Sequence, residues 1–217
     1  SNPYDNRDPR MKYTIVCNEM KWPVDPVEIW EGGTNGLPLQ NATTTGYYLK
    51  KYVNNTISFE AGSTVTKKQH NWVLFRYGEI LLNYAEAMIN AFHDPNYKDA
   101  VYNMSAREAV NQIRGRTNIS LPGFPSDITE KDFVKRLKNE RRVELAFEGH
   151  RFWDVRRWKE LGQTANIYGV KITKNNEVIS YEKFLLETRA VTDNMYFYPI
   201  PNTERFKNPN LGQNPGW

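Results

Sequence analysis

The stretch ERRVELAFEGHRFWDVRRW, residues 140–158, decides the expected fold because it places acidic residues on the apolar face of a helix. At about 100° per residue, the apolar side chains of residues 133–147 share one face, and Glu144 falls near its centre. Glu140 and Glu148 lie on the same face. A buried, unpaired carboxylate is costly, so each acid needs a cation. We therefore predict structural ion pairs among Arg76, Glu140, Arg141, Glu144, Glu148, Arg151 and Arg156.

The same acids allow a second interpretation, in which Glu140 and Glu144 are the two carboxyl groups of a glycoside hydrolase. Side chains four positions apart on a helix lie about 6 Å apart, which is comparable with the spacing of such a pair. A general acid needs a raised pKa, however, and nearby guanidinium groups favour the ionised carboxylate. The acid-bearing face should also pack against another helix. We therefore predict no catalytic residue and no enzymatic activity.

Helices dominate the chain after residue 71. Apolar residues recur every three or four positions from Tyr77 to Phe92, which predicts a helix with one buried face formed by Tyr77, Ile80, Leu81, Tyr84, Ala85, Met88 and Phe92. We predict helices from Tyr77 to before Pro95, from Ser105 (the N-cap of a capping box with Glu108) to Arg116, from Asp127 or Thr129 to Phe147, and from Phe152 to Leu161. A small hairpin is expected around Asn175-Asn176. The helix-borne tryptophans expected in the core are Trp72, Trp153 and Trp158.

The first 71 residues have a different composition. Pro, Gly, Asn and Asp interrupt this segment every few residues, which indicates loops and short strands over Met11–Cys17 and Tyr47–Ile57. The chain therefore divides into a loop-rich, ligand-facing segment, 1–71, and a helical region, 72–217. Short links between helices favour tetratricopeptide-like pairs, although no regular sequence repeat is present. The predicted fold class is mainly α, with tetratricopeptide-like helical pairs, extensive irregular loops and a few short strands.

The loop-rich segment carries the best signal for ligand binding. Aromatic residues make up 13% of the chain, and those in this segment have little helical core to bury them. The apolar faces of sugar rings stack on such side chains, while amides bond the hydroxyl groups. The candidate ligand-binding residues are Trp22, Trp30, Tyr47, Tyr48, Asn35 and Asn41. The competing interpretation is that the aromatic rings anchor the loops to the body of the protein.

Composition and residue spacing argue against several other functions. The formal net charge is only +4, from 29 basic and 25 acidic residues, so nucleic-acid binding is not expected. A single cysteine and three histidines without ligand spacing predict no metal site, and no motif points to a cofactor. No apolar run is long enough for a membrane-spanning helix.

Several stretches resemble, in order along the chain, the signatures of the SusD/RagB family. The most distinctive is the stretch 140–158 quoted above, and the helix RYGEILLNYAEA at 76–87 is similar to the family's characteristic helix. The other matching stretches are DPR at 8–10, NQIRGR at 111–116, YPIP at 198–201 and NPNLGQNPGW at 208–217. Together they cover most of residues 4–217, which makes a chance resemblance improbable.

The resemblance implies a lipoprotein on the outer-membrane surface of Bacteroidetes-type bacteria. Such proteins capture glycans or peptides, without enzymatic activity, and pass them to a SusC-like TonB-dependent transporter. A peptide-binding member, or a protein–protein scaffold that docks on the transporter, is the alternative to a glycan-binding protein. Members are longer than this chain, so the resemblance also implies a preceding part that carries the lipid. Family binding sites follow no fixed motif, so no ligand contact can be transferred to this sequence.

Overall fold

The computed structural model describes residues 2–57, 64 and 66–217, and the chain forms two compact units. The helical unit comprises Tyr4–Ile15 and Leu49–Glu148, and the hairpin unit comprises Ser1–Pro3, Val16–Tyr48 and Gly149–Trp217. These units cut across the predicted division after residue 71. Within the helical unit, acids near its end bind the side chains of Arg10 and Lys51, which come from the loop-rich segment.

Three packed helices form the body of the helical unit. Met11–Thr14 makes a single turn, α1, and the longer helices are α2 (Tyr77–Phe92), α3 (Ala106–Arg114) and α4 (Glu130–Glu144). Helix α2 packs against both α3 and α4. The largest fully buried side chains of this core are Leu82, Ile89, Ile113, Phe133 and Leu137.

The capping box that begins α3 is confirmed. Ser105 Oγ accepts a hydrogen bond from the backbone N–H of Glu108 at 3.1 Å, and the Glu108 carboxylate accepts one from the Ser105 N–H at 2.8 Å. The end of α2 is also confirmed, because the helix stops at Phe92, before Pro95. Its C-cap, His93, has a φ of 58°, in the left-handed region.

The later helices end earlier than predicted. Helix α3 ends at Arg114 rather than Arg116, and α5 covers His150–Arg157 rather than 152–161. Helix α4 ends at Glu144 rather than Phe147. Phe147 itself has a φ of 63°, a conformation that a right-handed helix cannot contain.

The two predicted strands of the loop-rich segment are much shorter in the structure. Within Met11–Cys17, the first four residues form α1, and only Ile15–Val16 is extended as strand β1. Within Tyr47–Ile57, only Tyr48–Leu49 forms a strand, β2. Tyr52 has a φ of 70°, so the backbone cannot remain extended through this segment.

Several side chains predicted to be buried are exposed. They are Trp72, Tyr77, Ile80 and Trp153, while Trp158 is only half-buried. On α2 the buried face includes Leu82 and Ile89, which the predicted face left out. The face is therefore rotated around the helix axis, because α3 and α4 pack on a side that the apolar periodicity alone does not single out.

The hairpin unit contains two antiparallel strands, β3 (Asn166–Asn175) and β4 (Val178–Thr188). Asn176-Glu177 joins them, and Asn176 has a φ of 52°, as tight hairpin turns often require. The hairpin lies where it was predicted, but its strands are 10 and 11 residues long, not small. The core of the hairpin unit is formed by Val16, Val27, Ile29 and Ile172.

The remaining elements of the hairpin unit are short. Helix α5 is followed by a 3₁₀ turn at Leu161–Thr164, and a second such turn at Asp193–Tyr196 precedes α6 (Asn202–Lys207). Within the described residues, no helix combines the length and the apolar character needed to cross a lipid bilayer.

Candidate functional site

Three acids of the helical unit lie among arginine side chains and form what we call the acid–arginine network. Glu140 and Glu144 stand one turn apart on α4 and are 2% and 5% exposed. Glu148 follows the end of that helix. Because α4 presents these carboxylates toward the interior, each needs several donors to offset the loss of water.

Glu144 is the centre of this network. Its Oε1 accepts a hydrogen bond from Arg76 Nη1 at 2.7 Å. Its Oε2 accepts one from Arg116 Nη2 at 2.7 Å and another from Arg10 Nη1 at 2.9 Å. Arg10 Nη1 also donates to Glu140, so one guanidinium group joins two successive turns of α4.

The outer acids of the network have further cations of their own. Glu140 Oε2 accepts a hydrogen bond from Arg114 Nη1 at 2.7 Å. Glu148 accepts hydrogen bonds from Arg76 Nε at 2.8 Å and Nη2 at 2.7 Å, and from Lys51 Nζ at 2.6 Å. All three carboxylates therefore have charged donors.

The pKa values of these acids follow from this arrangement. Burial alone would raise the pKa of Glu144, but hydrogen bonds from its three arginine partners lower that pKa to about 2. Burial would likewise raise the pKa of Glu148, and hydrogen bonds from Arg76 and Lys51 lower it. Both acids are ionised near neutral pH and cannot donate a proton. They do not supply the general acid that a glycoside hydrolase requires.

The other arginines of the predicted ion-pair set lie elsewhere. Arg141 is buried, and it links α4 to α2 through a hydrogen bond to Asn83 Oδ1 at 2.6 Å and a contact with Glu86 at 3.8 Å. Arg151 and Arg156 belong to the hairpin unit. Arg151 donates to Gln163 at 2.9 Å, and the Arg156 guanidinium lies 3.4 Å from the centre of the Phe152 ring.

Sequence reasoning did not identify Arg10 and Lys51 as members of the network. Both come from the loop-rich segment, more than ninety positions before the acids that they bind. The sequence carries one weak signal of the network, which concerns Arg76 and Glu144. It is Gly78, in the first turn of α2. A Cβ there would lie 2.7 Å from Arg76 Nη1 and 3.3 Å from Glu144 Oε1, so the glycine leaves room for the network.

The two tryptophans predicted to bind ligand are half-buried in the hairpin unit. Trp22 and Trp30 pack against the core formed by Val16, Val27, Ile29 and Ile172. Lys174 Nζ lies 4.6 Å from the centre of the Trp30 ring. This packing is what the competing interpretation expects, and ligand contact by either ring stays a prediction.

The predicted tyrosines and asparagines lie in the same loop region. Tyr48 Oη donates to the backbone carbonyl of Asn35 at 2.6 Å and accepts a hydrogen bond from the Thr43 N–H at 3.1 Å. The side-chain oxygen of Asn35 accepts a hydrogen bond from the Glu28 N–H at 3.1 Å. Tyr47 is half-buried and Asn41 is exposed. These contacts give residues 28–48 a defined shape.

A cavity of about 240 Å³ opens beside this loop, within the hairpin unit. It is lined by Ile29, Glu31, Leu37, Thr43, Thr44, Gly46, Val170, Lys171, Ile172 and Phe184. The six predicted ligand-binding residues are not among these, although several are their neighbours in sequence. Gly46 has a φ of 81°, and a Cβ there would lie 2.4 Å from the Val170 carbonyl oxygen. The loop can approach β3 this closely only through a glycine.

The lining of this cavity combines apolar and polar groups. Leu37, Val170 and Phe184 provide apolar surface, and Thr43 and Thr44 provide hydroxyl groups. At its mouth Lys171 Nζ lies 3.6 Å from Glu31 Oε2, and both side chains are more than half exposed. Such a mixture can bind a sugar, whose ring is apolar on its faces and polar at its edge. Within the described residues, no group of three or more His, Cys, Asp or Glu side chains could hold a metal ion.

Comparisons with known proteins agree on one family. The sequence model of the SusD family matches residues 1–217. The chain is 29% identical over 163 residues to the SusD-like protein P2 of Formosa agariphila, and 37% identical over 150 residues to the SusD-like protein P38 of that organism. These alignments cover 72% and 66% of this chain. A crystal structure of a SusD-like protein from Bacteroides fragilis superposes with a TM-score of 0.80 at 27% identity and covers 99% of the chain.

The relatives are considerably longer than this chain. The alignments cover 28% and 24% of the two Formosa agariphila proteins, and 40% of the Bacteroides fragilis chain. The structural match confirms the predicted fold class, which is mainly α with tetratricopeptide-like helical packing and few strands.

Proposed function

Because this chain belongs to the SusD family, we propose that it is part of a nutrient-binding protein that captures glycans without cleaving them. On this proposal, the protein acts at the bacterial outer-membrane surface and is anchored by a lipid on a part of the protein outside residues 1–217. Captured glycan passes to a SusC-like TonB-dependent transporter. The family match supports nutrient binding in general, and the transporter partner and the glycan are inferences.

One observation carries the glycan assignment, namely the cavity between residues 29–46 and the β3–β4 hairpin. Thr43, Thr44 and the Glu31–Lys171 pair line the same space as apolar side chains. The three acids of the acid–arginine network offer no competing site, because their carboxylates are bound by Arg and Lys side chains. We therefore assign ligand contact to the hairpin unit.

The six predicted ligand-binding residues have two kinds of role in this proposal. Trp22, Trp30 and Tyr48 contact other parts of the loop or the core, so they support the loop that borders the cavity without lining the cavity themselves. Tyr47, Asn35 and Asn41 remain candidates for direct contact with sugar hydroxyls. Each direct contact is a proposal that mutation can test.

A scaffold or peptide-binding protein is the second candidate function. The half-buried state of Trp22 and Trp30 favours it, because aromatic rings that anchor a loop need no ligand to explain them. On this alternative, the protein docks on the transporter, and the cavity binds no sugar.

A binding experiment on the full-length protein separates the two functions. We expect affinity electrophoresis in gels that contain neutral and acidic polysaccharides to retard the wild type in at least one gel. The double variant Glu31→Ala, Lys171→Ala should lose most of this retardation, because both side chains line the cavity and are largely exposed. The matched control is Glu204→Ala, Lys207→Ala, which removes an exposed ion pair of α6 in the same unit.

The possible outcomes are distinct. Retardation that is lost in the cavity variant and kept in the α6 variant supports glycan binding at the cavity. Equal retardation of wild type and both variants rejects the cavity as the binding site. If no gel retards the wild type while the full-length protein still co-purifies with the transporter, the scaffold function is favoured instead.

A further inference from the structure

An aromatic surface lies in the hairpin unit, where α5 meets the segment before α6. Trp153, Phe197 and Tyr198 are exposed by 57%, 63% and 56%. Exposed aromatic rings are costly in water, and three in one place indicate a surface that contacts something else. The ion pairs and the cavity described above do not involve these rings.

The rings of this surface are arranged around Tyr198. The centre of its ring lies 5.8 Å from that of Trp153 and 5.7 Å from that of Phe152. The Phe152 and Tyr198 rings are nearly parallel, with an angle of 30° between their planes. The Trp153 and Tyr198 rings are tilted by 58° to each other, so they form two walls of an open angle, and a sugar that stacks on one ring meets the other ring at its side.

The end of the chain holds this surface in place. Asn214 Nδ2 donates to the carbonyl oxygen of Tyr198 at 2.6 Å, and Trp217 Nε1 donates to that of Phe197 at 3.2 Å. Gln213 exchanges two hydrogen bonds with the backbone of Ile200. Because the backbone beneath the rings is fixed by side chains, binding requires little additional ordering.

The cleft beside these rings is rich in cations. Its volume is about 710 Å³, and its charged lining residues are Arg156, Arg157, Lys159 and Asp193. The buried Asp154 engages Arg157 at 2.8 Å, whereas the Arg156 guanidinium stacks on the Phe152 ring. Arg156 and Lys159 thus supply positive charge beside the aromatic surface.

We propose that this cleft is a second carbohydrate-binding site, in which a sugar ring stacks on Trp153, contacts Tyr198 at its side, and has an anionic group bound through Arg156 and Lys159. The ligand class is a glycan that carries carboxylate or sulfate groups. The inference rests on the proposed glycan-binding function but concerns a different set of residues, so the two can fail separately.

The test uses the full-length protein and three polysaccharide gels: polygalacturonate for carboxylates, carrageenan for sulfate esters and dextran as a neutral glycan. We expect Trp153→Ala, Tyr198→Ala to weaken retention by at least one anionic gel at least about tenfold, which is the effect of losing two aromatic contacts. Trp153→Phe, Tyr198→Phe should keep most of the binding, since both rings remain. Trp72→Ala is the matched control, because it removes an exposed tryptophan of the helical unit.

A charge variant tests the second part of the proposal. Lys159→Ala should weaken anionic retention several-fold and reduce its sensitivity to salt, whereas Lys135→Ala, an exposed lysine of α4, should not. Equal losses on dextran and on both anionic gels would overturn the anionic assignment. Unchanged retention in the double alanine variant would overturn the site.

Two further outcomes also decide the matter. Protection of Trp153 from hydroxyl-radical oxidation in the free full-length protein would mean that another part of the protein covers the rings, and this would overturn the proposal. Loss of binding in Glu31→Ala, Lys171→Ala without any loss in Trp153→Ala, Tyr198→Ala would leave the proposed function intact and reject only the second site.

Discussion

The helical unit and the hairpin unit use polar residues in opposite ways. In the helical unit, Glu140 and Glu144 are buried and bound by several guanidinium groups. In the hairpin unit, charged side chains such as Glu31, Lys171 and Lys159 stand beside open cavities. The comparison shows that a cluster of charge is a poor guide to function, because the denser cluster here holds the protein together. The predictions below test this contrast, from the largest expected effect to the smallest.

Removal of the central acid should give the largest loss of stability. Glu144→Gln leaves Arg10, Arg76 and Arg116 without the charge that they share, and breaking a buried ion pair in this way costs about 3 kcal/mol. Urea denaturation of the full-length protein measures the effect. Glu130→Gln is the control, since its partner His93 is exposed, and it should cost less than about 1 kcal/mol. Equal effects of the two variants would show that the network does not stabilise the helical unit.

Low pH should destabilise the helical unit because Glu144 becomes protonated. The pKa of Glu144 lies near 2 in the folded protein against an ordinary value of 4.5, so its stabilisation is present above pH 4.5 and is lost as the pH falls through 2. The loss should be on the order of 3 kcal/mol between these two values. Unfolding measured across this pH range should show a smaller slope for Glu144→Gln. A slope equal to that of the wild type would contradict the assignment.

A smaller effect is expected in the loop of the hairpin unit. Tyr48→Phe removes the hydroxyl that bonds the Asn35 carbonyl and the Thr43 N–H, which should cost about 1 kcal/mol. Hydrogen exchange should become faster at the Thr43 amide and its neighbours. Tyr168→Phe, at an exposed position of β3, serves as the control and should leave exchange unchanged. Similar exchange in wild type and Tyr48→Phe would show that other contacts fix the loop.

The sequence predicts the elements whose signals are local. The capping box of Ser105 and Glu108 involves residues three positions apart, and the stop before Pro95 follows from a single residue. The burial of Glu140 and Glu144 is also predictable, because α4 is regular enough for a count of its faces. In each case the physical cause lies within a few residues of its effect.

Features set by distant partners could not be predicted in the same way. Arg10 meets Glu140 across 130 positions of sequence, and no local pattern reveals that pair. The buried face of α2 depends on where α3 and α4 pack. The cavity depends on how closely Gly46 approaches Val170, which the pattern of the loop does not show. Sequence reasoning therefore selected residues that are near the cavity lining in sequence, but none of the residues that line the cavity.

The position of Arg10 in the chain has a consequence for the order of folding. Its guanidinium group binds two turns of α4, so the helical unit cannot finish assembling until residues at both of its ends have been synthesised. Contacts between residues so far apart in sequence form slowly, because a long loop must close first. The unit is therefore complete only once Glu140 and Glu144 have been synthesised.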